Sequence, residues 1–473
     1  MEETIKYEPS IQQENKVIRK INRVAVPFML LIMFFQQLDK MTLNYSAMLG
    51  IYNDVNLTHD EFGLAGSLYF LAQMIFQATI VIYSLQQYPI SKVLGIAMFC
   101  WSLSIIGTAF VNNFTQLALC RFILGAFEAF TYPSLFLFIK THYRRSEQGT
   151  YLALVYISLC VAIMCGSFFT YGIGQIVTEF MHGRGNWAWS MVIYGAVTLC
   201  FSIVVFFYLP DTPYSKRFNL SEQEKEIVSA RIRDNNILHV SNIQWEQIFE
   251  SIKETRYWSL VILTALSNLP NGAIATFSSQ LIRDLGFSKL NSIILNVPRP
   301  MWEIVTYLIF IFTTTRIHWC KKHVAYTNAF FMLIPTLGVV LLRAIPVGEA
   351  FIIRLIGICI TPTTFATLTG QALVSSNVAG KTKMIFYTTT VTMANTLGHF
   401  LGGLMIRQNE YPGYSSALSG YITADIVTIL LLAFIGWSYQ NDNQLRQKKQ
   451  YASIVEGDDL TDVQLQHHFI YRP

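Results

Sequence analysis

Polar and apolar positions alternate along this chain on the scale of a membrane, not of a turn. Twelve predominantly apolar stretches, at 24–46, 62–84, 92–111, 115–138, 150–173, 187–209, 257–281, 290–314, 323–343, 349–373, 384–406 and 415–438, are separated by short polar segments. Each holds the roughly 20 residues that a helix needs to cross a bilayer. The longest interruption, 210–256, divides the stretches six and six. The pattern predicts an all-α membrane protein, with a six-helix half at 24–209 and another at 257–438. Polar tails at 1–23 and 439–473 complete the chain.

Composition agrees. Hydrophobic residues make up 52% of the chain and charged residues only 13%, about half the charge usual in soluble proteins. Mean hydropathy is +0.39, and aromatics, suited to membrane interfaces, reach 14%. The net charge of +5 is spread over short loops, so it points to topology and not to nucleic acid. Arg19, Lys20 and Arg23, Lys140/Arg144/Arg145, Arg316/Lys321/Lys322 and Lys381/Lys383 fall on the side of both tails, which the positive-inside rule makes cytoplasmic. The opposite loops are poorer in basic residues, with Lys40, Arg184, Arg283, Lys289 and Arg407 as exceptions. Asn56-Leu57-Thr58 and Asn113-Phe114-Thr115 then face outside as glycan sequons close to the membrane. No cleavable signal is visible. The seven cysteines, mostly within apolar stretches and without a CxxC pair, read as packing residues. In the central loop, Ser221 to Glu224 has capping-box spacing and predicts a charged, solvated helix of about 15 residues. The acidic C-terminal tail is expected to be disordered.

Charges within the apolar stretches carry the chemistry, because they are costly there and usually face a protein interior or a wet cavity. Arg121 and Glu128 stand seven residues apart in the fourth stretch, on one helical face and roughly 10 Å apart along its axis. Asp39 of the first stretch falls near the height of Arg121. This suggests an Asp39–Arg121 pair that an anion can compete for, with Glu128 as a carboxyl able to bind and release a proton. A structural charge network between the two helices is the alternative. Poor solvation brings a carboxyl's protonation within reach of ambient pH. Arg354 enters the tenth stretch much as Arg121 enters the fourth, as a second anion anchor or a snorkelling side chain. Arg299 and Glu303, four apart and flanked by Pro298 and Pro300, can neutralise each other or face substrate. His399, beside Asn395, Gly398 and Gly402, is either a substrate contact or a packing histidine. Asn377 reads as a cap or gate residue and Asp425 as structural.

Two six-span halves around a polar loop resemble the layout of a major facilitator transporter, whose site lies at the midplane between the halves. Shorter motifs resemble the fungal allantoate permease subfamily of the anion:cation symporter family: Leu38-Asp39-Lys40-Met41-Thr42-Leu43-Asn44-Tyr45, the stretch Arg121 to Pro133, Tyr171-Gly172-Ile173-Gly174, Leu209-Pro210-Asp211-Thr212-Pro213, Asn268-Leu269-Pro270-Asn271-Gly272-Ala273, Leu285-Gly286-Phe287-Ser288 and Ser376 to Lys383. The resemblance spans almost the whole membrane domain. It implies the twelve-helix major facilitator fold and proton-coupled import of a small organic anion, such as allantoate, ureidosuccinate, nicotinate or pantothenate. It implies no cofactor beyond the coupling proton. It also implies that Arg121 serves substrate recognition and Glu128 proton coupling. The chain departs from the pattern in places. Gln86 to Lys92 replaces the acidic loop after the second helix, Ala78 and Ile80 stand where a Glu and a Pro are usual, and Leu159 replaces a polar residue. Polar groups are thus lost in helices two and five while Arg299, Glu303 and His399 are gained, which suggests a shifted binding site. A monomer in the plasma membrane is expected. The rivals are an uncoupled facilitator and a transporter-like nutrient sensor; no catalytic constellation suggests an enzyme.

Overall fold

The computed structural model describes residues 11–176, 185–232, 244–362, 370–371, 373–374, 376–448, 461–462 and 471. Arg184, the second part of the tenth apolar stretch and most of the C-terminal tail lie outside the described residues.

The apolar stretches form helices. The first half comprises α1 (Ile11–Leu49), α2 (His59–Phe76, continuing through Gln77–Val81 and Ile82–Gln87), α3 (Ile90–Thr108), α4 (Phe114–Glu128 and Thr131–His142), α5 (Arg145–Ile176) and α6 (Asn186–Tyr208). The second comprises α7 (Thr255–Ser267 and Leu269–Asp284), α8 (Lys289–Ile294 and Pro298–Arg316), α9 (Val324–Phe331 and Leu333–Ala344), α10 (Phe351–Ile360), α11 (Lys381–Met405) and α12 (Ser415–Lys448). Eight of the helical segments among the described residues are long and apolar enough to cross a membrane by themselves.

Several spans are interrupted where the sequence alone suggests continuity. α4 breaks after Glu128, just before Pro133; α7 breaks at Asn268, before Pro270; and α8 restarts at Pro298. Proline lacks the N–H that would continue the ladder and its ring crowds the preceding turn. In a membrane such breaks persist where protein or a wet cavity satisfies the freed backbone.

The two halves repeat one packing plan. α1 packs on α5, α2 on α4 and α3 on α6; correspondingly, α7 packs on α11, α8 on α10 and α9 on α12. The halves meet through α2 with α11, α5 with α8 and α1 with α7. Polar bridges cluster away from the side on which the tails emerge. Asn44 donates to Ser278 Oγ at 2.8 Å and accepts from the Ser279 amide at 3.1 Å. Tyr52 donates to Gln280 at 3.1 Å, Asp60 accepts from the Gln408 amide at 2.9 Å, and the His59 ring stacks on Phe277 at 4.7 Å. These contacts join the two halves on the far side.

On the tail side, the described residues of the central loop include two helices, each docked on one half. Glu222–Ile232 belongs to the first half: its Arg231 binds Glu14 at 3.0 Å and Glu147 at 2.7 Å. Lys20 from α1 pairs with Glu224 at 2.7 Å and holds that carboxyl below its usual range. Trp245–Lys253 belongs to the second half, where buried Lys383 at the start of α11 meets Glu250 at 2.7 Å, Glu254 at 2.5 Å and Asp462 at 2.7 Å. The ammonium explains why three carboxylates converge there. Parts of the tail expected to be disordered are therefore packed: Tyr471 is buried and its hydroxyl donates to Asp462 at 2.7 Å.

Candidate functional site

Between the halves lies a cavity with water-accessible space of about 180 Å³. Its walls come from the interrupted helices. α4 contributes Tyr132 and Phe136 after its break, α7 contributes Asn268 and Asn271 at its break, and α8 contributes Arg299 and Glu303 just after its restart. α2 contributes Gln73 and Gln77, the latter opening a five-residue π-helical segment. Such local departures from α geometry recur at functional sites.

Of the residues singled out in the sequence, Arg299, Glu303, Asn395 and His399 line this cavity. Arg299 Nη1 donates to Glu303 Oε1 at 3.2 Å, while its Nε and Nη2 are buried without a hydrogen-bond partner. The His399 ring sits 4.9 Å from the Phe70 ring, and its Nδ1 lies 2.9 Å from the Asn395 carbonyl. Close backbone packing fixes that histidine: a Cβ on Gly272 would collide with the His399 backbone, and one on Gly402 with the Leu269 carbonyl.

Asp39, Arg121 and Glu128 lie behind the wall, buried in the first half. Glu128 Oε2 accepts from Tyr69 Oη at 2.5 Å and from Gln36 Nε2 at 2.7 Å, leaving Oε1 without a partner. Gly125 permits this contact, since any side chain there would strike the Tyr69 carbonyl and push α4 off α2. Asp39 and Arg121 do not form the direct pair anticipated from their similar depth. Asp39 Oδ2 accepts from Trp101 Nε1 at 3.0 Å, and Arg121 Nη2 donates to Thr42 Oγ1 at 3.3 Å. Depth alone does not set the direction in which a side chain leaves its helix.

Lys40 is the residue that sequence reasoning missed. Counted among basic loop positions, it is instead well inside α1, on the cavity wall, with Nζ 4.9 Å from the Phe70 ring centroid. Among the described residues it has no ion-pair partner within 4.0 Å, yet it lies within electrostatic reach of Glu128, Glu303 and Arg299. The available signal was adjacency: neighbours on a helix leave about 100° apart, so a buried Asp39 places Lys40 on another face.

Arg354 is elsewhere. It lines a separate, mostly apolar pocket within the second half, with Leu281, Val339 and Leu418, and its Nη1 donates to the Ile345 carbonyl at 2.5 Å. That carbonyl follows the C-terminus of α9, where a cation offsets the helix dipole. The second-anchor expectation is thus not matched by position: Arg354 does not line the central cavity.

Residues 29–403 match the Major Facilitator Superfamily. The chain belongs to that superfamily. It is 27% identical over 464 residues to the Thiamine pathway transporter THI73 of Saccharomyces cerevisiae, covering 95% of this chain and 85% of the relative. It is 24% identical over 308 residues to the High-affinity nicotinic acid transporter of the same yeast, covering 64% of this chain and 55% of the relative. The inward-facing, unoccupied structure of a bacterial homologue of the human lysosomal transporter Spinster shares its fold, at a TM-score of 0.61, 14% identity, and coverage of 94% and 100% of the two chains. This superfamily member is a multi-pass integral membrane transporter of a small molecule and not an enzyme.

Proposed function

We propose that this transporter imports a small organic anion by proton symport across the plasma membrane of a fungal-type cell. It does so as an allantoate permease-like member of the anion:cation symporter family, with both termini cytoplasmic. The coupling ion is the proton; no metal or organic cofactor is invoked, and the working unit is a monomer. The substrate class is a carboxylate-bearing vitamin or ureide. The motifs around Asp39 and Arg121 and the name of the yeast nicotinic acid transporter support that class.

The observation that carries the reading is Lys40, which lines the cavity and lies within electrostatic reach of the buried Glu128. While Glu128 is ionised it attracts the Lys40 ammonium. A proton on Glu128 removes that attraction and leaves Lys40 free to hold an anion. The anion and the proton then favour each other's binding, the reciprocity that linkage requires of any coupled pair. Arg299 supplies a second cation, partly neutralised by Glu303, while Asn395 and His399 offer hydrogen bonds and an aromatic edge. Arg121 supports recognition from behind the wall by bracing α4 against Thr42 of α1, and Asp39, with Oδ1 unpartnered, is the second proton site.

The test is uptake of labelled carboxylates, vitamins and ureides by cells expressing the chain, at acidic and neutral external pH, with and without a protonophore. Saturable uptake of one anion, stronger in acid and collapsed by the protonophore, is expected. Uptake indifferent to the protonophore identifies an uncoupled facilitator, and no anion uptake at all overturns the reading.

A further inference from the structure

The loop helix Trp245–Lys253 has its amphipathicity reversed. Trp245, Phe249 and Ile252, at spacings that share one helical face, are 63%, 59% and 41% exposed. The polar side faces the protein: Gln247 is 4% exposed and accepts from the Lys383 amide at 2.9 Å, Ser251 is fully buried, and Glu250 binds the Lys383 ammonium. A helix packed on soluble protein shows the opposite arrangement. Here the apolar face has no protein partner among the described residues.

The surface next to this face says what covers it. Trp258, in the first turn of α7, is 49% exposed, and its indole Nε1 donates to the Ile252 carbonyl at 2.9 Å, joining the end of the loop helix to the start of the span. One turn further, Ile262 is also exposed on α7. The exposed Trp245, Phe249, Ile252 and Trp258 are thus followed by exposed Ile262 on a segment, Thr255–Asp284, long and apolar enough to cross a membrane. On the same tail side, the short connection between α8 and α9 exposes Ile317 and Trp319 beside Lys322. Tryptophan at the ends of spans marks the headgroup level, where an apolar ring and a polar N–H are both accommodated.

We propose that Trp245–Lys253 lies in the plane of the bilayer's tail-side interface, with Trp245, Phe249 and Ile252 inserted at the boundary between headgroups and acyl chains. Lipid is its partner, in the manner of interfacial amphipathic helices. Its polar face holds Lys383 in the first turn of α11, the helix that carries Asn395 and His399 into the cavity. The bilayer therefore fixes, through this helix, the end of a cavity-lining span. The inference is independent of the substrate and of proton coupling.

Incorporating p-benzoylphenylalanine at position 249, with position 262 as the lipid-facing reference, and irradiating native membranes tests it directly. Lipid adducts at both positions are expected. Adducts to another protein at 249, or no adduct at 249 where 262 yields lipid, would overturn the proposal. A second measurement uses the full chain in bilayer nanodiscs: Phe249→Asp should lower the melting temperature while Glu246→Lys, on the exposed polar edge, should not. Equal melting of the two variants would sink the idea even if both fold.

Discussion

The two halves of the transporter place their membrane-embedded charges differently. In α1–α6, Asp39, Arg121 and Glu128 are buried behind the cavity wall, each with at least one polar atom left without a partner, and among the described charged residues of this half only Lys40 reaches the cavity lining. In α7–α12, Arg299 and Glu303 stand on the wall and bind each other within one helix, while Arg354 is turned into a separate pocket. A pair closed within one helical turn carries its own neutraliser and changes little when a proton or an anion arrives. A cation on one helix facing a hidden carboxyl on another has no such fixed partner. On the mechanism proposed above, the first half holds the responsive charge and the second presents a paired, polar wall to the cavity.

Removing the hidden carboxyl should have the largest effect. Glu128→Gln keeps an acceptor for Tyr69 but cannot ionise. Concentrative uptake should vanish, to the level of wild type treated with protonophore, while exchange of labelled for unlabelled substrate persists. Full gradient-driven accumulation in this variant would put the proton elsewhere and erase the distinction between the halves.

Next in size is the cation on the wall. A hydrogen bond to a charged group contributes about 1.5–3 kcal/mol, so Lys40→Met should raise KM by roughly tenfold or more, with Lys40→Arg recovering much of the loss. Arg121→Met makes the sharper contrast: because Arg121 lies off the cavity wall and binds Thr42, its loss should lower thermal stability before it changes KM.

Arg299 and Glu303 test the other side of the comparison. Taking one partner from a buried pair leaves an uncompensated charge and costs roughly 3 kcal/mol, whereas replacing both is close to neutral. Glu303→Gln alone should therefore melt well below wild type, and the double variant Arg299→Leu/Glu303→Leu should recover most of the difference. A double variant no better than the single would mean that Arg299 answers to something besides Glu303.

These contrasts were only partly legible in the chain. Twenty-residue apolar stretches reveal spans because a bilayer forces the backbone to satisfy itself within each helix, and that constraint leaves its mark on composition. Azimuth leaves a weaker mark. Asp39 and Arg121 share a depth, but one turns toward Trp101 and the other toward Thr42. Lys40 was assigned to a loop because loop counting treats every lysine near a boundary as solvated, although α1 continues nine residues beyond it to Leu49. The breaks at Pro133, Pro270 and Pro298 had a visible cause, yet proline inside a span interrupts the helix only where neighbours can satisfy the freed groups. That is a tertiary property. The reversed face of Trp245–Lys253 was readable in principle as Trp, Phe and Ile at positions 245, 249 and 252, but the surrounding charges made the central loop look uniformly solvated.

The smallest predicted effect concerns Arg354, and it separates position along a repeat from position in space. By analogy with the fourth stretch, Arg354 is a second anion anchor, and its loss would raise KM. By geometry it closes the C-terminal end of α9 through the Ile345 carbonyl and lines a pocket distinct from the transport cavity. A cation at a helix C-terminus contributes about 1 kcal/mol. Arg354→Met should accordingly lower the melting temperature by a few degrees and leave KM and proton dependence as in wild type. Arg354→Lys, which keeps the charge near the same carbonyl, should restore most of the stability. A KM that rises in Arg354→Met without a drop in melting temperature would return Arg354 to the substrate path. It would also mean that the second half presents a responsive cation of its own in another conformation of the transport cycle.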